Sequence, residues 1–155
     1  MSDVCNVTYA VDFVKTNLSD AATVAQQLQV STEFILGLSA AESGWGRDWN
    51  ATKVVNGQPA RNFFSLQGDA SSPFANGSMK SGGGTSLSTF ASYLDSAKSF
   101  AAQYGTLVKG KATAKEFATA LVPRFNPGKA PLGNPTFIQD LVSIIGTTKA
   151  RMGCK

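Results

Sequence analysis

Between Asn50 and Thr89 the helical spacing of apolar residues that organises the rest of this chain gives way to Gly, Ser, Asn and Pro. The stretch includes Ser81-Gly82-Gly83-Gly84 and offers only short extended pieces such as Phe63-Phe64-Ser65-Leu66, so at most a small hairpin is expected within it. A loop this long in a compact domain is uncommon unless it carries function, and substrate binding is the natural use; a plain surface excursion is the other reading. Apolar residues concentrate on both sides of it. The asymmetry predicts a loop-rich lobe at about residues 50–89 hung on a helical body.

The body reads as a series of helices. Val7 to Asn17 and Asp20 to Gln29 form two apolar-periodic stretches, the second with Ala21, Val24, Ala25 and Leu28 at helical spacing. Ser31 is a candidate N-cap for a third helix, with Glu33 in its first turn, and Gly44 is placed to stop that helix after Ser43. Asp95 is a candidate N-cap for a helix carrying Ala97, Phe100, Ala101, Tyr104, Leu107 and Val108 on one face. Thr113-x-x-Glu116 forms a capping box ahead of Phe117 and Leu121. Asn134-Pro135 opens the last helix, which points Phe137, Leu141, Ile144 and Ile145 inward. The expected fold class is mainly α, in one domain over residues 1–155.

Composition narrows the chemistry. The formal charge of +4 is small and scattered, with no basic run beyond the Lys109/Lys111 pair, which argues against nucleic acid as a partner. Histidine is absent, which removes Ser-His-Asp and Cys-His catalysis and disfavours a zinc site; no metal or cofactor is expected. No stretch approaches the roughly 20 apolar residues of a membrane span, and the first residues lack the pattern of an export leader. The expectation is a soluble monomer. The two cysteines, Cys5 and Cys154, lie near opposite ends, where one disulfide would tie the termini together and imply an oxidising compartment; two unpaired thiols are the alternative.

The chain holds three glutamates, and two have ordinary roles in helix starts, Glu33 and Glu116. Glu42 does not. It lies four residues after Leu38 and seven after Ile35, which sets its carboxyl on the apolar stripe, and it falls in the final turn, where the helix dipole is negative. Both circumstances raise a carboxylic pKa. A carboxyl kept protonated near neutral pH is what a glycosidase requires to protonate the leaving sugar oxygen, although a buried Glu bonded to backbone groups has the same sequence signature. In Glu42-Ser-Gly-Trp-Gly46 the glycines permit a sharp turn, and Trp45 and Trp49 offer flat apolar surface suited to sugar rings or to a core.

Ala40-Ala-Glu-Ser-Gly-Trp-Gly46 resembles the Ala-x-Glu-Ser-Gly-Trp-Gly signature of the peptidoglycan glucosaminidases related to flagellar muramidases and staphylococcal autolysins, a glycoside hydrolase family 73-like group within the lysozyme-like superfamily. Asn62-Phe-Phe-Ser-Leu66 is similar to that family's Asn-Leu-Phe-Gly-Ile segment. Phe90-Ala-Ser-Tyr93, followed by Ser99-Phe100 and Tyr104, resembles its Phe-Arg-x-Tyr segment and the helix after it, and Asn134-Pro-x-Phe137 matches the close. The motifs occur in order over about residues 13–150.

The resemblance implies an α+β lysozyme-like fold with a glycan groove, Glu42 as general acid, Tyr93 as a cleft residue contributing to catalysis, and Asn62 and Phe63 shaping the groove floor beside Trp45. The implied reaction is cleavage of the β-1,4 glycan backbone of peptidoglycan between N-acetylglucosamine and N-acetylmuramic acid. One departure stands out. The family's second acidic residue has no counterpart between Phe74 and Phe90, and Asp69, the one carboxylate between Asp48 and Asp95, is either a base or a turn residue after Gly68. A one-glutamate enzyme fits a lytic transglycosylase forming anhydro-muramic ends as well as a hydrolase assisted by the substrate's N-acetyl group. A catalytically silent peptidoglycan-binding domain is the alternative from another class. Wall chemistry, paired cysteines and no leader together resemble an antibacterial effector of a contractile, type VI secretion machine that acts in the periplasm or cell wall and has an immunity protein as partner.

Overall fold

The computed structural model describes residues 3–125 and 136–155. After a 3-10 turn at Asp3–Asn6, the body consists of α1 (Thr8–Leu28), α2 (Thr32–Ser43), α4 (Tyr93–Val108), α5 (Ala114–Phe125) and α6 (Phe137–Met152), with the short α3 (Trp49–Thr52) leading into the lobe. The lobe carries two antiparallel hairpins, β1 (Val54–Val55) with β2 (Gln58–Pro59) and β3 (Gly77–Lys80) with β4 (Ser86–Thr89). A small helix-and-hairpin lobe on a helical body is the α+β lysozyme-like arrangement.

α2 is the central element. Phe34, Ile35, Leu36, Leu38 and Ala40 are all buried, so the helix is apolar on every side and must be enclosed, here by α1 and α6. Gly37 permits the close approach of α6: a Cβ there would lie 2.6 Å from Ile145 Cγ1 and 3.0 Å from its Cα. α4 packs on α1, and α5 on α6. The core runs from Phe13 and Val14 through α2 to Phe64, Phe90, Phe100, Phe117, Leu121, Leu141 and Ile145. No helix of the described residues is long and apolar enough to cross a membrane.

Several element limits differ from those the sequence suggests. The two amino-terminal stretches are one helix, because Asn17-Leu18-Ser19 contains no breaker and Asn17 turns its amide inward to donate to Phe13 O at 2.9 Å. α4 begins at Tyr93 and not after Asp95: Ser92 is the N-cap, its Oγ accepting from Asp95 N at 3.1 Å, which leaves Asp95 in the first turn. Ser31 occupies the N-cap position of α2 without a side-chain cap bond. The capping box of α5 forms, with Glu116 N donating to Thr113 Oγ1 and Ala112 N donating to the Glu116 carboxylate, each at 3.1 Å. Asn134-Pro135 lies outside the described residues; α6 starts after Thr136.

Within the lobe, Phe63-Phe64-Ser65-Leu66 is a turn, not an extended piece. The cause is Asn62, whose Oδ1 accepts from Leu66 N and whose Nδ2 donates to Leu66 O, each at 2.8 Å, curling the segment around one buried amide. Two hairpins are present where one at most was expected. Asn56-Gly57, both at positive φ, makes the tight turn between β1 and β2. A minor core of Ala60, Met79 and Leu87 steadies the lobe.

The termini meet. Cys5 and Cys154 form a disulfide, with Cα atoms 5.6 Å apart. Beside it, Arg151 Nε donates to Val4 O at 3.0 Å.

Candidate active site

The site is built where α2 ends against the lobe. Gly44 adopts φ 56° and ψ 47°, the left-handed conformation that closes a helix at little cost only for glycine, and Gly44 N and Trp45 N both donate to Ala40 O. Ser43 Oγ donates to Ser39 O at 2.6 Å and accepts from Gly46 N at 2.9 Å, so the Ser-Gly-Trp-Gly run after Glu42 is held turn by turn. The end of the helix is then tied to the lobe through its own backbone. Glu42 O accepts from Asn50 Nδ2 at 3.1 Å and from Ser65 Oγ at 2.9 Å. The same Asn50 amide donates to Asn62 O at 2.8 Å, and Asn62 N returns a bond to Asn50 O at 3.1 Å.

These bonds leave the Glu42 side chain facing a cavity of about 270 Å³ lined by Glu42, Ser65, Leu66, Gln67, Tyr104, Arg124 and Phe125. Burial raises the Glu42 pKa from 4.5 to about 7, since little water remains to solvate its anion. Glu42 is the one carboxyl among these lining residues. A neutral carboxylic acid at the wall of a cleft is a proton donor in waiting.

The remaining sequence candidates are distributed differently. Asn62 is wholly buried, its amide taken up by Leu66 and by Ser88 O, to which it donates at 2.9 Å; it holds Leu66, which lines the cavity, and is not itself among the lining residues. Phe63 packs its ring against Phe13 and Tyr93, and its N–H donates to Ser96 Oγ at 3.1 Å. Tyr93, expected in the cleft, is a core residue: it is 5% exposed, surrounded by Phe13, Phe63 and Phe64, and its hydroxyl shares a 2.8 Å hydrogen bond with Ser39 Oγ on α2. Burial pushes its phenol far above the ordinary range. Trp45 is likewise packed, edge-on to Phe13, with the Arg151 guanidinium 4.6 Å over its ring, so that face is covered; Trp49 is the tryptophan left 43% exposed.

Asp69 is fully exposed and serves a turn, accepting from Ser71 N at 2.8 Å and from Ser71 Oγ. Those bonds, the side-chain one first, hold its pKa below the usual carboxylate value. Ser65, Gln67, Tyr104, Arg124 and Phe125 were not singled out for the site by sequence. By its spacing Tyr104 belongs to an apolar helix face, and only the packing of α4 and α5 brings it and Arg124 to the same cavity as Glu42.

No sequence-family model and no curated protein matches the chain. Solved structures do. A type VI secretion system effector-immunity complex from Pseudomonas protegens contains a chain 32% identical to this one, matched over 99% of this chain and 100% of that one with a TM-score of 0.83. A peptidoglycan hydrolase from Sphingomonas sp. A1 shares the fold at 22% identity, over 92% of each chain, with a TM-score of 0.74. The glycoside hydrolase domain of FlgJ from Salmonella typhimurium, in a C-terminally truncated form, is 26% identical over 91% of this chain and 98% of that one, with a TM-score of 0.66. With the buried acid at the lobe junction and these likenesses over nearly the full length, the chain belongs to the glycoside hydrolase family 73-like enzymes of the lysozyme-like superfamily.

Proposed function

We propose that the protein cleaves the β-1,4 glycan backbone of peptidoglycan between N-acetylglucosamine and N-acetylmuramic acid, with Glu42 as the general acid. The observation that carries this is the Glu42 carboxyl, kept neutral up to about pH 7 by burial while lining an accessible cavity. As the glycosidic bond breaks, the bonding pair leaves with the bridging oxygen and the Glu42 proton moves onto it. The anomeric carbon, now electron-poor, is captured by the oxygen of water or of a sugar hydroxyl, whose proton passes to the Glu42 carboxylate and restores the acid. Asn50 and Ser65 hold the acid in place through its backbone carbonyl.

One observation favours a single-carboxylate course: Asp69, the candidate second acid, lies out on the surface, where its Oδ1 accepts both bonds from Ser71. Water assisted by the substrate's own acetamido group and internal attack by a sugar hydroxyl, which yields an anhydro-muramic end, both meet that requirement. Digestion of purified peptidoglycan by the wild type and by Glu42→Gln, with mass analysis of the fragments, tests the reading. Reducing N-acetylglucosamine ends mark a glucosaminidase, reducing N-acetylmuramic ends a muramidase, and anhydro ends a transglycosylase. Full activity in the variant overturns the acid assignment, and binding without products points to a silent domain.

The biological role we propose is that of an antibacterial effector acting on the wall of a rival cell. The match to a chain solved in an effector-immunity complex and the disulfide, which suits a compartment outside the cytoplasm, support it. A cognate immunity protein would then cover the Glu42 cavity. Toxicity when the chain is directed to the periplasm, relieved by a co-exported neighbour-encoded protein, is the expected result; a harmless periplasmic chain that is active on purified wall counts against the role.

A further inference from the structure

Among the described residues that line the cavity beside Glu42 there is one permanent cation. Arg124, exposed in the last turn of α5, lines it alongside Gln67, Tyr104 and Phe125. No carboxylate of the described residues pairs with it; the ion pair found among them joins Lys149 to Glu33 at 3.9 Å. Below about pH 7 Glu42 does not neutralise it either, because burial keeps that carboxyl mostly protonated there. The guanidinium therefore faces the substrate space with its charge unspent. A chain of plain N-acetylated sugars carries no charge for it to meet. A planar fork of N–H donors matches a carboxylate in two parallel hydrogen bonds, and peptidoglycan carries carboxyl groups beside its backbone, on the peptide stem or, where the stem is absent, on the lactyl ether.

We propose that Arg124 is a specificity-determining residue that binds a carboxylate of the substrate next to the scissile bond, so that the cavity selects acid-substituted glycans over neutral ones. The inference rests on the glycan-cleaving role of Glu42. Binding energy from this contact fixes the sugar register against the acid, and it is made in the ground state as well as in the transition state, so its loss raises KM more than it lowers kcat.

The test compares wild type, Arg124→Gln and Arg124→Lys on purified peptidoglycan and on the same material with its carboxyl groups converted to neutral amides. On native substrate, Arg124→Gln is expected to raise KM about tenfold with kcat nearly unchanged, and Arg124→Lys to recover part of the loss, the wild-type advantage shrinking as salt is added. On amidated substrate the three proteins are expected to show the same KM. A third substrate, glycan strands stripped of stems by an amidase, trades the stem carboxylates for the lactyl carboxylate that the cut frees: a surviving Arg124 effect shows that a carboxylate on the backbone itself is bound, and a lost effect assigns the stem. An equal penalty on native and amidated material, or no penalty on either, overturns the proposal. Thermal unfolding of each variant shows whether a loss reflects folding, which would depress kcat on every substrate alike. Activity that survives Glu42→Gln sinks the underlying reading, whereas Glu42-dependent cleavage indifferent to Arg124 sinks only this one.

Discussion

At the scale of the residue, burial of Glu42, the proposed general acid, makes the stability of the fold depend on pH. Its pKa of about 7 in the folded protein lies above the ordinary 4.5, so below about pH 4.5 both states hold the proton and burial costs nothing. Between 4.5 and 7 the unfolded chain sheds the proton while the folded one keeps it, and stability falls as pH rises. Above 7 the full cost applies, about 3 kcal/mol by linkage. Glu42→Gln carries no charge in either state. It is expected to lose glycan cleavage by roughly a hundred- to ten-thousandfold, as removal of a general acid does. It is also expected to unfold at a higher temperature than wild type at pH 8 and at about the same temperature at pH 4, by calorimetry. The wild-type rate should decline about tenfold per pH unit above about 7, a profile measurable on solubilised wall fragments. Tyr93 makes the opposite case. Its hydroxyl bonds Ser39 inside the core, so Tyr93→Phe is expected to cost about 1 kcal/mol in denaturant unfolding and to leave kcat within a few-fold of wild type. A thousandfold loss of kcat would return Tyr93 to the chemistry.

At the scale of the element, the end of α2 is set by two constraints that lie far apart in sequence. Gly37 lets α6 press against the middle of the helix, and Asn50 with Ser65 anchors its last turn to the lobe. Gly37→Val would drive a branched side chain into Ile145, and a cost of about 3 kcal/mol is expected, read as a lowered midpoint in urea. Asn62 does comparable work in the lobe. Asn62→Ala removes an amide that satisfies three buried backbone groups, and a loss of roughly 2–4 kcal/mol is expected together with reduced activity, because Leu66 on the cavity wall loses its support. The capping box at the start of α5 and the Gly44 stop were legible because capping and left-handed glycine are local chemistry. The turn at Phe63-Phe64 was not, since two adjacent phenylalanines read as strand until the Asn62 amide is seen to close on Leu66.

At the scale of the whole molecule, the Cys5–Cys154 disulfide spans 149 residues and clamps the first turn to the end of α6, where Arg151 both holds Val4 and lies over Trp45. Loop-closure entropy gives such a bridge about 5 kcal/mol, so reductant or Cys5→Ser is expected to lower the unfolding temperature by roughly 10–20 °C, followed by circular dichroism. No change would mean that the packing of Arg151 and α6 suffices without it. The helical body, the irregular lobe and the singling out of Glu42 were determined by the sequence itself, through apolar spacing, the glycine-rich interruption and a motif read in a few consecutive residues. The lining of the cavity was decided by tertiary structure alone. Tyr104 on α4 and Arg124 on α5 look like ordinary helix residues, and Trp45 and Tyr93 look like site residues, until packing covers the second pair and opens the first. Local spacing reports which face of a helix is apolar, but whether that face meets a core or a cleft depends on which neighbour comes to cover it.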